Sequence, residues 1–253
     1  MDKKYEYVAE MASLYDYNPF LSKNVIGDKE LESFYLSNTK EFEYILEHGA
    51  ATGIFTILMA KNNRYIDSVE ISHDMINIIK DKLNKLPQQM KKNICLYEMD
   101  SLKFNSGRLY DEIILPDSII LALADKKKQL KILENSYNML KKNGKVLMDF
   151  FPPNNELIRA KEMKQSYARA KDKNGSIFII ERQELWDSET QITELKFIHK
   201  EWKNELKEIV SFIKYRYLYE NEVINMLNEV GFKKIEYIPN LSKNNNVGII
   251  AIK

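Results

Sequence analysis

Ile45-Leu46-Glu47-His48-Gly49-Ala50-Ala51-Thr52-Gly53 is the stretch on which the fold turns. Residues 42–47 read as a strand, the glycine-bearing turn closes it, and residues 52–61 read as a helix. In a strand–turn–helix unit of this kind a ligand approaches backbone N–H groups at the helix N-terminus. A dinucleotide fingerprint would need small residues at the first, third and sixth positions counted from Gly49. The sixth is Ile54, too bulky for close packing around a pyrophosphate. Glu47 points the same way, because a carboxylate ending the strand repels a pyrophosphate and suits a ligand carrying an ammonium group. Glu70 closes the next strand, 23 positions beyond Glu47, about the spacing at which an acid reaches a ribose hydroxyl pair.

Outward from this loop the alternation continues. Residues 65–71 read as a strand, 73–86 as a helix with Ser72 as N-cap, and 94–99 and 111–115 as strands. A helix over 126–142, closed by Asn143-Gly144, precedes a fifth strand at 145–151. Strands alternating with helices imply βαβ units and a mostly parallel sheet. After Pro152-Pro153 the rhythm changes. A polar helix over 156–170 leads into three strand-like runs, 176–185, 191–202 and 206–217, which suggest an antiparallel meander. A helix over 220–230 and strands over 232–237 and 247–252 follow. Residues 1–38 are helical in pattern, rich in Tyr and Phe, and broken at Asn18-Pro19.

Composition narrows the functions. The 253 residues are 44% apolar, enough for one large core with a small second subdomain. A net charge of +1 gives no global field for a phosphate backbone, so no nucleic-acid partner is expected. Cys95 is the sole cysteine, which excludes an intramolecular disulfide and a cysteine-rich zinc site. No His/Asp/Glu grouping has metal-ligand spacing, so no metal is predicted. Met1-Asp2-Lys3-Lys4-Tyr5-Glu6 lacks the apolar core of a secretory signal. The longest apolar stretch, around 113–124, is interrupted by Pro116, Asp117 and Ser118 and is too short to span a bilayer. A cytoplasmic setting without membrane partners is the expectation.

Taken together, these segments resemble the class I S-adenosylmethionine-dependent methyltransferases. Residues 47–53 are similar to the family's motif I, an acid followed by Gly-x-Gly-x-Gly, with Ala51 standing where Gly is commoner. Val69-Glu70-Ile71-Ser72 with Asp74-Met75 looks like the second-strand segment, and residues 98–104 resemble the segment whose Asp binds the adenine amino group. Tyr110-Asp111-Glu112-Ile113-Ile114 and residues 139–146 resemble the fourth-strand motif and the passage into the fifth strand. The resemblance covers roughly 40–152. It implies an α/β, Rossmann-like sheet of seven strands in the order 3-2-1-4-5-7-6, the last antiparallel, with S-adenosyl-L-methionine as cofactor. By that resemblance Glu47, Gly49, Ala51 and Gly53 form the cofactor loop and Glu70 takes the ribose. Ile71 and Met75 sandwich the adenine, Asp100, Ser101 and Leu102 contact its edge, and Leu115 with Pro116 lines the methionine arm. The organisation expected is a helical lid at 1–38, a cofactor domain at 39–153 and 218–253, and an inserted antiparallel substrate subdomain at 154–217.

The lead-in and the meander resemble the small-molecule subgroup that includes sugar-amine N,N-dimethyltransferases and glycine N-methyltransferase. Leu14-Tyr15-Asp16 is similar to the sugar-amine enzymes' Leu-Tyr-Asp, which implies that Tyr15 lies near the transferred methyl and the cofactor. Tyr5, Tyr7, Tyr17 and Phe20 are further lid candidates, or simple core. An amine nucleophile must be neutral, so a base is useful. Asp117 is one candidate, its other reading being a helix N-cap with Ser118. Those enzymes often carry a His a few residues later, but Ile119-Ile120-Leu121-Ala122-Leu123 has none, which leaves His199 as the second candidate base. Asp117, Ser118, Arg216 and Tyr217 are the substrate-binding candidates, with a plain ion pair as the alternative for Arg216. The expected function is methyl transfer to a small-molecule amine by a monomer or homodimer. O-methylation, a non-catalytic binding protein and a nicotinamide-dependent oxidoreductase are the alternatives.

Overall fold

Parallel strands bury both faces, so unbroken apolar runs mark them more clearly than alternation does. The run ending in Glu47 lies at the centre of the computed structural model, which describes residues 9–21, 26–202 and 204–253. The chain passes through α1 (Ala9–Leu14), a 3-10 turn (Tyr15–Tyr17), α2 (Lys29–Asn38), β1 (Tyr44–His48), α3 (Ile54–Lys61), β2 (Tyr65–Glu70), α4 (His73–Asn84) and α5 (Gln88–Lys91). β3 (Ile94–Glu98), β4 (Tyr110–Leu115), α6 (Ile119–Ala122), α7 (Lys126–Met139), β5 (Leu140–Phe150) and α8 (Asn155–Ala160) follow. The remainder is β6 (Lys164–Lys171), β7 (Ile177–Asp187), β8 (Ile192–Glu201), β9 (Asn204–Arg216), α9 (Glu220–Val230), β10 (Ile235–Ile238) and β11 (Val247–Ile252). Tyr5 and Tyr7 lie outside the described residues.

β1 pairs in parallel with β2 on one side and β4 on the other, with Ile45 and Leu46 fully buried. The seven-stranded sheet runs β10-β11-β5-β4-β1-β2-β3, and β11 is antiparallel to β5. This is the strand order expected above. Because the chain leaves β1 in both directions, a crevice opens at the carboxyl ends of β1 and β4, where ligands of such sheets settle. α4 starts as read, with the Ser72 side chain accepting from the Met75 amide, and buries Met75, Ile76 and Ile79 on one stripe. α7 buries Gln129, Ile132, Leu133, Ser136 and Met139 at helical spacing.

Two sequence readings are corrected. The helix expected over 126–142 ends at Met139, and β5 begins at Leu140. Asn143, at φ 64°, and Gly144 form an irregularity within β5 instead of a helix cap, and the β4–β5 register shifts between Tyr110 and Glu112. A Cβ on Gly144 would lie 2.8 Å from the Asp111 carbonyl, so close strand approach explains the glycine. The polar helix expected over 156–170 is the short α8 followed by β6, so the meander has four strands in the order β6-β7-β8-β9. Lys161, at φ 53°, ends α8, and β6 then pairs antiparallel with β7 from Lys164 to Lys171. Its inward residues Ser166, Ala168 and Ala170 are too small and polar to announce a strand by apolar alternation.

The inner face of this sheet buries Phe178, Ile180, Leu195, Phe197, Ile209 and Ile213 in the same core cluster as Met11, Leu14 and Met148. Arg216 fastens the meander to the helices. Its guanidinium donates to Gln129 Oε1 (2.9 Å), Gln191 Oε1 (2.7 Å) and Glu222 Oε1 (2.6 Å). Tyr217, fully buried, donates to the Asp187 carbonyl at 3.2 Å. Both residues therefore hold elements together and present no free group to a ligand in this arrangement. No helix among the described residues is long and apolar enough to cross a membrane. Removing one member of a buried ion pair strands its partners. Arg216→Met is accordingly expected to cost about 3 kcal/mol in urea unfolding, and Glu222→Gln, which keeps an acceptor, less.

Candidate active site

The glycine loop is built by backbone sign. Gly49, Ala51 and Gly53 have φ of 71°, 48° and 81°, and this succession turns the chain from β1 into α3. At Gly49 a Cβ would come within 2.4 Å of Ile119 Cδ1, so the approach of α6 also requires glycine there. The Gly49 and Ala50 amides donate to the Val69 carbonyl at 2.9 and 3.0 Å. The Ala51 amide donates to Glu70 Oε2 at 2.8 Å, and the Ser72 amide to Glu70 Oε1 at 2.8 Å. Glu70 thus ties the loop after β1 to the start of α4. Burial pushes its carboxyl above the usual range, against these hydrogen bonds.

Glu47, at the end of β1, is held inward. It is 1% exposed, and its Oε2 accepts from Thr56 (2.5 Å) and Ser68 (2.7 Å). Burial raises its carboxyl to about 7 in spite of these hydroxyls. His48 is buried in the core with Ser136 at 3.5 Å, and burial lowers it to about 3.

On the next strands, Asp100 is half-buried and its Oδ1 accepts the Leu102 amide at 2.9 Å. Asn135 of α7 donates to the Leu102 carbonyl at 2.8 Å, fixing the loop that carries Asp100, Ser101 and Leu102. Ile71 is 69% exposed on the rim, an open apolar face beside Glu70 and Asp100. Met75 is 1% exposed and Leu115 fully buried, so both support the wall from within the core rather than forming its surface.

A strap closes the crevice from the N-terminal side. The Tyr15 hydroxyl donates to Asp117 Oδ2 at 3.1 Å, bringing together two of the three residues singled out for catalysis. Next along, Asp16 accepts from Thr52 Oγ1 at 2.5 Å and pairs with Lys82 at 2.6 Å. Asn18 Nδ2 lies 3.1 Å from His199 Nε2. Three successive contacts therefore reach the end of β4, the glycine loop and the meander. Asp117 and Ser118 sit in left-handed backbone, at φ 50° and 63°. Ser118 Oγ accepts from the Phe151 amide at 3.3 Å and belongs to the turn that aims Asp117. Burial and the neighbouring Asp149 raise Asp117 to about 7, while the Tyr15 hydrogen bond works the other way.

Facing the strap, the meander presents His199, Thr193 and Ser211, all buried, together with Arg182 paired to Glu184. His199 Nδ1, Thr193 Oγ1, Ser211 Oγ and Arg182 Nε have no hydrogen-bond partner among the described residues. Burial lowers His199 to about 4, so the ring is neutral at pH 7. Arg182 also lies 5.7 Å from the Phe20 ring centroid, and Phe20 packs 6.4 Å from Phe197. Asp16, Asn18, Asp149, Arg182 and Thr193 escaped the sequence reading. Asp16 stood next to Tyr15 in the quoted tripeptide, which was a usable signal. The others have none: strand register alone turns Asp149, Arg182 and Thr193 inward, and Asn18 follows a 3-10 turn whose packing only the fold sets. Among the described residues no group of three or more His, Cys, Asp or Glu is placed to hold a metal.

Comparison with known proteins bears on the fold. No protein-family model matches the chain. Malonyl-[acyl-carrier protein] O-methyltransferase 2 of Ilyobacter polytropus is 32% identical over 119 residues, 46% of this chain and 42% of that protein. The chain thus matches less than half the length of that curated relative. Among solved structures, the CcbJ methyltransferase of Streptomyces caelestis superposes with a TM-score of 0.75 at 15% identity, covering 95% of each chain. CalS10 of Micromonospora echinaspora, an amino pentose methyltransferase solved with S-adenosylmethionine, gives 0.69 at 11% identity over the full length of both. The fold is that of the S-adenosylmethionine-dependent methyltransferases.

The buried acid of the loop yields a stability test. Glu47 keeps its proton in the folded chain up to about pH 7, against an ordinary value of 4.5. A folded-state value above the unfolded one gives stability that is full below about 4.5 and lost as pH rises through 7. Glu47→Gln keeps an acceptor for Thr56 and Ser68 without that loss. Its stability relative to wild type should rise by about 2 kcal/mol between pH 5 and pH 8 in urea titrations.

Proposed function

We propose that the chain binds S-adenosyl-L-methionine along the carboxyl ends of β1, β2 and β3 and catalyses methyl transfer to a small-molecule amine held between the strap and the meander. The observation that carries this reading is the Tyr15–Asp117 hydrogen bond at the mouth of the β1–β4 crevice. The edge suits that ligand. Glu70, Asp100 and Asp117 are acids at or just beyond the ends of β2, β3 and β4, favouring a ligand with ammonium and sulfonium charges over one with phosphates. In this reading Glu70 takes the ribose hydroxyls, Asp100 the adenine amino group, and Ile71 the face of the ring.

S-adenosylmethionine, when bound, supplies a methyl carbon on a sulfonium, and the N–C bond forms as the C–S bond breaks. The chain's own residues prepare the nucleophile. Asp117, raised to about 7, takes a proton from the acceptor's ammonium group and leaves a neutral amine. Tyr15 fixes the carboxylate that receives the proton, and the strap holds the acceptor close, so positioning supplies much of the acceleration. Thr193, Ser211 and neutral His199 offer hydrogen bonds to the rest of a polar acceptor. The fold neighbours named above include an enzyme whose acceptor is an amino pentose, which supports an amine, whereas the curated relative is an O-methyltransferase. Identifying the methylated product separates these two.

Calorimetric titration with S-adenosylmethionine and S-adenosylhomocysteine tests the cofactor. Micromolar binding to wild type is expected, weakened about tenfold or more by Glu70→Ala and by Asp100→Ala. Absence of binding to wild type, or binding of NADH instead, would sink the reading. For catalysis, Asp117→Asn should lower kcat on an accepted amine about a hundredfold while S-adenosylhomocysteine affinity stays within about twofold.

A further inference from the structure

Asp117 does not stand alone at the end of β4. Asp149, on β5, is fully buried beside it and has no part in the steps given above. Its Oδ1 accepts the Asp117 amide at 2.9 Å and the Tyr35 hydroxyl at 2.6 Å, and its Oδ2 accepts Asn246 Nδ2 at 2.9 Å. Its main-chain carbonyl accepts the Ser118 amide at 3.0 Å. One residue thus receives both amides of a turn in which two successive L-residues lie in left-handed backbone. Such a conformation is disfavoured by side-chain sterics and persists only where the surroundings over-determine it. The Asp117 amide is held by the Asp149 carboxylate and the Ser118 amide by its main-chain carbonyl, so side chain and backbone of one residue anchor the turn together.

We propose that Asp149 is a positioning residue for Asp117: it clamps the 117–118 turn through both amides and holds a second negative charge beside the base. This rests on the role given to Asp117 in the proposed function. The donor count decides which of the two ionises first. Asp149 accepts from an amide, a phenol and a carboxamide, whereas Asp117 accepts from Tyr15. Asp149 is therefore the anion, and Asp117 is the member that keeps its proton longer. The other ionisable groups facing the pair are Tyr15 from the 3-10 turn, Tyr35 from α2 and Asp28 at the N-cap of α2. None of these carries positive charge, so they do not cancel the repulsion. A structural strut alone would hold the turn equally well with an uncharged amide. The carboxylate adds the charge.

The test is a carboxyl-carbon NMR titration of the ligand-free protein, with Asp117→Asn used to assign the Asp117 signal. Asp149→Asn keeps an oxygen for the Asp117 amide and Tyr35, and Asn246 can rotate its amide to match. The Asp117 midpoint should fall by about one unit or more in this variant. On an accepted amine, the acid limb of the kcat/KM profile should move to lower pH by the same amount. A midpoint that stays put, or rises, overturns the proposal, as does an activity loss that is uniform across pH. Should Asp149→Asn fail to fold, the reciprocal arm decides. In Asp117→Asn the Asp149 midpoint must stay put, because Asp149 ionises while Asp117 is still neutral, and a midpoint that falls by about one unit or more makes Asp149 the later proton and overturns the proposal. If the carboxyls shift as stated while wild type binds no S-adenosylmethionine, the methyltransferase reading fails and the Asp117–Asp149 coupling stands.

Discussion

Parallel pairing of β1 with both β2 and β4 is the constraint on which the rest depends. It forces the chain to leave the centre of the sheet in two directions and gathers the carboxyl ends of five neighbouring strands along one edge. The loops at that edge cannot fill the crevice with their own backbone, because each turns outward toward its helix. What closes it comes from elsewhere in the chain. The turn at Tyr15–Asn18 reaches across from the N-terminal side, and the meander folds over from beyond β5. Three remote pieces of sequence therefore meet in one place, held by side-chain hydrogen bonds between them.

The electrostatics follow from the same edge. Glu47, Glu70, Asp117 and Asp149 are all raised above their ordinary values, burial being the largest cause in each. A chain selected only for stability would not collect ionisable acids in a region poor in water. Each is held by hydroxyl or amide donors that recover part of the cost, and no lysine or arginine neutralises them directly among the contacts described. A cationic ligand arriving at this edge would supply the missing counter-charge, so ligand and fold would stabilise one another. Arg182, by contrast, is matched by Glu184, which leaves the meander side of the crevice polar without net charge.

Much of the sheet was legible in the chain. Apolar runs separated by capped amphipathic helices gave the order of strands and helices, and the loop at 47–53 gave the edge on which a ligand settles. Legibility failed where a segment's periodicity was weak. β6 has small inward residues that only the neighbouring β7 makes buried. Leu140 belongs to a strand although the helix pattern runs on past it, because pairing with Tyr110 offers its backbone a better ladder. For Arg216 the chain left a substrate contact and a plain ion pair both open, and the ion pair with nearby Glu222 is joined by Gln129 from a helix far off in sequence.

By itself the sequence determined the class of fold and the glycine loop, and it offered the acids at 47, 70 and 100, and Tyr15 and Asp117 separately, as candidates. These depend on local periods and on short motifs, which any segment carries within itself. Only the tertiary structure decided that Tyr15 bonds to Asp117, that Asp149 receives the Asp117 and Ser118 amides, that Asn18 meets His199, and that Glu47 turns into the core. Those outcomes depend on strand register and on which element packs over which. Burial by distant neighbours then sets the charge on each acid, and that is a property of the folded whole.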